Sequence, residues 1–334
     1  MSFLEKIQHR IWNNAQYKFS IIFCSIYVVL FFGKSIPEKI ILYILVSILL
    51  SIGVAGMGYV FNDWNDYKDD VKNKKRNLFV DFSKMNSVFL VVLFLVLSVF
   101  PWFILPFDKT SFVLIGLEFF LFLVYAFPPF RLKEKGIVGV VADALYAQVV
   151  PCLLATYTFS KITSDVEFSF FFIIIYVIWL LFMGIRNILN HQLDDYANDK
   201  NSKTNTFVIQ NGIEKSSALV YRFLIPIEFL LFIGLLYSLP LNFPIFLLVY
   251  LLYMLIYILV FYFKQSTIKT NTATLFEFFN KRLLNEFYEI HLPIILLLFF
   301  SFYNPFFIWI LILNLIMFSQ LYYHFILNFI RKYF

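Results

Sequence analysis

Two acidic clusters, each at the end of a long apolar segment, are the residues of this chain best suited to chemistry. The first acidic cluster, residues 62–70, reads NDWNDYKDD, and the second, residues 191–199, reads HQLDDYAND. Each contains a polar residue at every fourth position: Asn62, Asp66 and Asp70, then His191, Asp195 and Asp199. On a helix, steps of four keep side chains on one face, so each cluster predicts a column of oxygen ligands.

Two facing columns of carboxylates repel each other unless cations lie between them. Mg²⁺ prefers carboxylate oxygens that it shares with the phosphate groups of a substrate. The paired columns therefore predict a diphosphate site bridged by Mg²⁺.

Basic side chains near the two clusters could bind the same diphosphate oxygens through charge-assisted hydrogen bonds. The candidates are Arg76, in the loop after the first cluster, and Arg131 and Lys133, after a later apolar segment. An isoprenyl diphosphate combines such a head with an apolar tail, and its ionisation leaves an allylic cation. Because aromatic faces stabilise cations, Tyr125 and Tyr146 are candidates for that role.

The composition predicts a membrane protein that must present these clusters at helix ends. Hydrophobic residues make up 61% of the chain and charged residues 14%, with a mean hydropathy of +0.80, whereas soluble domains carry roughly 25% charged residues. We expect one all-α domain over residues 1–334, a transmembrane bundle of nine or ten spans with cytoplasmic cap loops in the lipid bilayer. The apolar segments lie at 18–36, 38–61, 84–105, 110–128, 137–160, 167–189, 216–238, 242–263, 286–303 and 305–330.

The distribution of basic residues predicts the orientation. Only Lys34, Lys39, Lys109 and Lys161 fall on the side opposite to all the other lysines and arginines. Because positive charges concentrate on the cytoplasmic side, both termini and both acidic clusters are expected there.

Three segments resemble the UbiA superfamily of intramembrane prenyltransferases. Residues 62–70 are similar to its first aspartate-rich motif, NDxxDxxxD, and residues 195–199 to its second, DxxxD. Residues 125–133, YAFPPFRLK, resemble the segment that follows the fourth helix of the family. The order of these segments along the chain also agrees.

The resemblance implies transfer of an isoprenyl group from its diphosphate to an aromatic or lipid-like acceptor in the membrane, with no nucleic-acid partner. It implies that two Mg²⁺ ions and the diphosphate are held by five residues: Asn62, Asp66, Asp70, Asp195 and Asp199. Two features depart from the family pattern, namely a possible tenth helix and His191, which we count among the substrate-binding candidates.

Asp143 is a separate candidate, since it lies about two turns inside the fifth apolar segment with Tyr146 three residues later. An ionisable residue at that depth is a functional hypothesis by default. It could orient the acceptor or take its proton, or it could form a structural pair with Arg131 or Arg186. Arg186 is also a candidate for binding substrate.

Two other functions are compatible with parts of the pattern. A terpene cyclase would ionise the same diphosphate but quench the cation within the same molecule, and the sequence does not separate it from a transferase. A cation-coupled transporter would carry its acids near the bilayer midplane on broken helices. The acidic clusters here lie at segment ends, which disfavours a transporter.

Overall fold

The computed structural model describes residues 5, 7–72, 77–80, 82–164, 166, 168–238, 243–265 and 283–333. In these residues every regular element is helical, with no strand. Eight helices are long and apolar enough to cross a membrane: α1 (Asn13–Phe32), α2 (Ile40–Lys72), α3 (Lys84–Val99, continuing to Phe103), α4 (Lys109–Ala126), α5 (Ile137–Ile162), α6 (Phe170–Asp194), α9 (Ile213–Ser238) and α11 (Leu283–Tyr303).

Five further α-helices complete the described part of the chain. Two short helices, α7 (Tyr196–Ser202) and α8 (Phe207–Asn211), follow α6. Helix α10 covers Phe243–Gln265, and α12 (Phe306–Met317) is followed by α13 (Ser319–Tyr333). The described part of the chain thus confirms the all-α bundle, with eight membrane-length helices, or nine if the bent pair α12–α13 is one span.

The last predicted span, 305–330, is not one straight helix. The axes of α12 and α13 differ by 68° across the break at Phe318. Buried Asn314 fixes this bend, because its Oδ1 accepts from the Tyr27 hydroxyl at 2.8 Å and its Nδ2 donates to the Tyr322 hydroxyl at 2.7 Å. The bend therefore attaches both halves to the bundle through α1 and through each other.

Wide π-helical turns interrupt three of the long helices, each shortly before a proline. They cover Leu145–Val149 in α5, Val220–Leu224 in α9 and Phe287–His291 in α11. Pro151, Pro226 and Pro293 each follow two residues after the end of a turn. A proline has no N–H to donate and its ring crowds the carbonyl four residues earlier, so a wider turn relieves that contact.

Helix α2 presents the first acidic cluster beyond the apolar part of the bundle. Its 33 residues span about 50 Å, more than the roughly 30 Å of a bilayer core. The carboxylate of Asp63 accepts a hydrogen bond from the Leu78 backbone N–H at 2.9 Å. The Nδ2 of Asn77 donates to the Asp63 carbonyl at 2.7 Å and to the Asp70 carboxylate at 2.8 Å. Asn77 thereby fixes Asp70 to the turn that follows α2.

Helix α6, which leads into the second acidic cluster, is fastened to α9 by a buried ion pair. The Arg186 Nε lies 2.6 Å from Glu228 Oε2, and Arg186 Nη2 lies 2.9 Å from Oε1. Both side chains are 0% exposed. Their charges are therefore compensated by each other rather than by solvent.

At the end of the bundle away from the acidic clusters, hydrogen bonds of Asp108 join the start of α4 to α5. Asp108 caps α4 by accepting from the Ser111 backbone N–H at 3.0 Å, and it also accepts from the Tyr157 hydroxyl of α5 at 2.5 Å. The Tyr157 and Ser111 hydrogen bonds lower the pKa of Asp108 from its ordinary value. These bonds keep α4 and α5 together at that end.

Replacing Glu228 with leucine should strongly destabilise the protein, because Arg186 would remain charged and uncompensated inside the bundle. Removing one member of a buried pair costs about 3–5 kcal/mol, while replacing both members with apolar residues is often neutral. We expect Glu228→Leu to lower the melting temperature in detergent and the added Arg186→Met change to restore most of it. Additive losses in the double variant would contradict this account.

Replacing Asn77 with alanine should loosen the turn after α2. The change removes both Nδ2 hydrogen bonds and the Oδ1 acceptor that the Phe79 N–H reaches at 2.9 Å. Each bond contributes about 1 kcal/mol, so amide exchange at Leu78 and Phe79 should accelerate about tenfold in hydrogen–deuterium exchange. Asn65→Ala is the matched control, since Asn65 bonds Asp66 at only 3.4 Å. Equal exchange in both variants would show that Asn77 does not order the turn.

Candidate active site

A cavity of about 530 Å³ lies among α1, α2, α4, α5, α6 and α7. Every predicted site residue that the structure describes lines it, apart from Arg186: Asn62, Asp66, Asp70, Tyr125, Arg131, Lys133, Asp143, Tyr146, His191, Asp195 and Asp199. Arg76 lies outside the described residues. The rest of the lining is largely apolar and includes Ile22, Ile26, Leu50, Val54, Leu154 and Phe159.

In the first acidic cluster, Asp66 is bound by two basic side chains from the segment after α4. Its Oδ2 forms an ion pair with Lys133 Nζ, and its Oδ1 lies 3.4 Å from Arg131 Nη2. Lys133 Nζ also reaches Asn62 Oδ1 at 3.5 Å, and Arg131 Nε bonds Glu134 at 2.5 Å. The acidic column and its cationic partners thus meet in one site.

Backbone geometry between α4 and α5 brings these basic residues over the cavity. Arg131 has a φ of 40°, in the left-handed region, and a tight turn at Leu132–Glu134 follows it. A Cβ at Gly139 would lie 2.2 Å from the Leu132 carbonyl oxygen. Only glycine therefore permits α5 to pack this closely against the turn that carries Lys133.

The second acidic cluster spans the end of one helix and the start of the next. Helix α6 ends at Asp194, and α7 begins at Tyr196 after a turn at Asp195. The helical hydrogen bonds from each backbone N–H to the carbonyl four residues earlier continue through the turn. Asp195 N donates to His191 O, and Asp199 N donates to Asp195 O, both at 2.9 Å. His191, Asp195 and Asp199 all lie on the cavity wall.

Asp143 and two tyrosines form a second layer of the site. The Tyr146 hydroxyl donates a hydrogen bond to the Asp143 carboxylate. The Tyr146 ring centroid lies 5.1 Å from that of Tyr125 and 5.0 Å from that of Phe122. Asp143 is therefore partnered by Tyr146 rather than by either arginine considered from the sequence.

Arg186 requires a correction as a substrate-binding candidate. Its guanidinium is occupied by Glu228, and it does not line the cavity. The sequence could not reveal this partner, since Glu228 lies 42 positions away on another helix.

Several lining residues were missed by the sequence analysis. Lys18, Glu118, Gln192, Asn198, Thr158 and Thr206 all line the cavity. Thr206 donates to Asp199 at 3.3 Å and Asn198 to Asp195 at 3.3 Å, so two of them support the second cluster. Glu118 could have been identified from the sequence, because a carboxylate inside an apolar segment marks a functional candidate.

The four predicted metal ligands, Asp66, Asp70, Asp195 and Asp199, supply the hard oxygen donors that suit a divalent cation. Among the described residues, no three acidic, histidine or cysteine side chains are close enough to bind a metal by themselves. Mg²⁺ usually takes only one or two carboxylates and completes its shell with water and substrate phosphates. The arrangement therefore fits a cation that is held jointly with a bound ligand.

Comparison with solved structures identifies the same fold in a UbiA homolog from Archaeoglobus fulgidus. Its structure with GPP and Mg²⁺ has a TM-score of 0.55 at 15% identity, and that with DMAPP and Mg²⁺ has 0.56 at 15%. A structure with Cd²⁺ has 0.53 at 16%. Each match covers 86% of this chain and 99% of the other. A comparison with curated proteins finds no significant match.

The sequence itself matches a family model over most of its length. The model is that of the UbiA prenyltransferase family, and it matches residues 20–282, a range that includes both acidic clusters and the segment between α4 and α5. The chain therefore belongs to the UbiA prenyltransferase family.

Proposed function

We propose that this protein transfers an isoprenyl group from an isoprenyl diphosphate to an acceptor in the membrane, with Mg²⁺ assisting the ionisation. The observation that carries the proposal is the single cavity in which two acidic clusters, two basic side chains and an apolar wall meet. A UbiA homolog of the same fold was solved with GPP and with DMAPP, each together with Mg²⁺. Such a cavity suits a ligand with a charged head and a hydrocarbon tail.

The head of the diphosphate is bound at the acidic end of the cavity. Asp66, Asp70, Asp195 and Asp199 would hold Mg²⁺, and Asn62 and His191 border the same space. Mg²⁺ bound there would neutralise the negative charge that develops on the departing diphosphate. Arg131 and Lys133, which form ion pairs with Asp66, donate charge-assisted hydrogen bonds to the diphosphate oxygens.

The allylic carbon lies next to the layer formed by Tyr125, Tyr146 and Asp143. The faces of the two tyrosines stabilise the developing positive charge. Asp143, oriented by the Tyr146 hydroxyl, accepts the proton that the acceptor loses when its nucleophilic atom bonds to the allylic carbon. The charge bias of the loops supports a cytoplasmic location for this end of the cavity and for both termini.

Metal dependence tests the proposal directly. EDTA should abolish diphosphate release from geranyl or geranylgeranyl diphosphate by the purified protein, and Mg²⁺ should restore it. Asp66→Asn and Asp195→Asn should each reduce the rate at least about tenfold, which corresponds to about 1.4 kcal/mol of lost transition-state stabilisation. Asp194→Asn is the matched control, because Asp194 does not line the cavity. Full activity in both test variants would refute the metal assignment.

The Asp143→Asn variant separates ionisation from transfer. Asparagine still offers an oxygen to the Tyr146 hydroxyl, so the fold should persist, but it cannot take a proton. Loss of a general base typically costs about 100-fold or more, so prenylated product should fall by that factor while prenyl alcohol from hydrolysis continues to form. Mass spectrometry of both products measures the split. Unchanged transfer would remove Asp143 from the mechanism, and a cyclised hydrocarbon formed without any acceptor would favour a cyclase.

A further inference from the structure

Glu134 is an acidic side chain that bonds a basic residue of the site without lining the cavity itself. It ends the tight turn Leu132–Glu134, and its Oε1 accepts a hydrogen bond from Arg131 Nε at 2.5 Å. Arg131 and Lys133, on the same segment, both line the cavity, whereas Glu134 does not. A carboxylate beside the cations of an anion site offsets part of their attraction for the anion, so its presence there needs a reason.

The two basic residues differ in how closely they approach Asp66. Lys133 Nζ forms a close ion pair with Asp66 Oδ2, while Arg131 Nη2 lies 3.4 Å from Asp66 Oδ1. The second distance is well beyond the optimum of about 2.9 Å for a hydrogen bond from nitrogen to oxygen, so this contact is weak. Arg131 can therefore turn from Asp66 to a ligand, because Lys133 still compensates the carboxylate.

Glu134 holds Arg131 through Nε and leaves the far end of the guanidinium for other acceptors. A guanidinium carries a single donor on Nε and the rest on its two Nη groups, all in one rigid plane. Since Nε is bonded to Glu134, this plane cannot turn freely about the Arg131 side chain. The Nη donors remain available, and Nη2 already faces Asp66 on the cavity wall.

The backbone of Glu134 is itself bonded to the loop that follows the second acidic cluster. Its carbonyl accepts from Gln210 Nε2 at 3.3 Å, and the same Nε2 donates to the Asn205 carbonyl at 2.9 Å. Thr206, the next residue of this loop, donates to Asp199 at 3.3 Å. The carboxylate that holds Arg131 therefore projects from a backbone that is tied to the opposite side of the site.

The ion pair of Arg131 and Glu134 is poorly placed to stabilise the fold. The two side chains are 22% and 30% exposed, and ion pairs that solvent reaches contribute little to stability. The pair does restrict the rotamers of a long side chain, a restriction that a ligand must otherwise impose when it binds. The effect of Glu134 is therefore expected in ligand affinity rather than in the stability of the protein.

We propose that Glu134 is a positioning residue, which holds the Arg131 guanidinium with its Nη groups toward the cavity to receive the diphosphate of the substrate. This inference rests on the proposed function. An arginine that is already ordered lowers the entropic cost of binding the diphosphate. This gain outweighs the charge that Glu134 offsets, because solvent screens the partly exposed carboxylate.

Binding of inorganic diphosphate in the presence of Mg²⁺ tests this role, by isothermal titration calorimetry of the purified protein in detergent. Glu134→Ala should weaken binding about fivefold, the scale of ordering one long side chain. Glu134→Gln should bind more tightly than Glu134→Ala, because the glutamine Oε1 still accepts from Arg131 Nε. Glu214→Ala is the control, since Glu214 is exposed and does not line the cavity. Unchanged or tighter binding by Glu134→Ala, or equal binding by the alanine and glutamine variants, would overturn the inference.

A double-mutant cycle with Arg131→Met distinguishes positioning of the guanidinium from general support of the turn. Because Glu134 acts through Arg131, Glu134→Ala should change the diphosphate affinity by less than about twofold once Arg131 has been replaced. The same loss in both backgrounds would show that Glu134 supports the turn and not the guanidinium, and the positioning role would be wrong.

Failure of this inference can be told apart from failure of the proposed function, because diphosphate binding needs no turnover. Additive losses in the cycle, together with Mg²⁺-dependent transfer by the wild type, would overturn only the role of Glu134. The expected cycle without any prenylated product would overturn only the transfer reaction. A wild-type protein that does not bind diphosphate with Mg²⁺ would overturn both.

Discussion

Electrostatic balance at one end of the helical bundle is the constraint on which the rest of this site depends. Carboxylates from two separate clusters line one cavity, and at least one of them, Asp66, is compensated by Lys133 and Arg131. These cations come from the segment between α4 and α5, while Asp66 comes from α2. The same charges that bring three helix ends together are therefore available to a bound diphosphate.

The surrounding structure fixes the position of those charges. Asn77 fixes Asp70 to the turn after α2, Thr206 supports Asp199, and Arg186 with Glu228 fastens α6 to α9. Each of these polar groups has a specific partner, as buried polar groups require. Some buried atoms nevertheless lack a hydrogen-bond partner among the described residues, including Oε2 of Glu118 and Nη1 of Arg186.

The sequence predicted the helical class, which is confirmed, and eleven of the residues that line the cavity, because both follow from local patterns. Long apolar segments predict membrane-spanning helices, and a spacing of four residues places Asp66 and Asp70 on one face of a helix. The sequence failed where the outcome depends on distant partners. Arg186 was assigned to substrate because Glu228 is remote in sequence, and the bend at Phe318 depends on Tyr27, nearly the whole chain away. Glu118 was not among the candidates, because it lies inside an apolar segment and the acidic clusters lie at segment ends.

The π-helical turn at Leu145–Val149 has a consequence for which face of α5 meets the ligand. One additional residue in a turn rotates everything after it by about 100° relative to a regular helix. Asp143 lines the cavity before the turn, Tyr146 and Ala147 line it within the turn, and Pro151, Leu154 and Thr158 line it afterwards. The wide turn therefore changes which face of α5 lines the cavity. One continuous helix can place polar groups near the reacting end of a substrate and a mainly apolar surface along its tail.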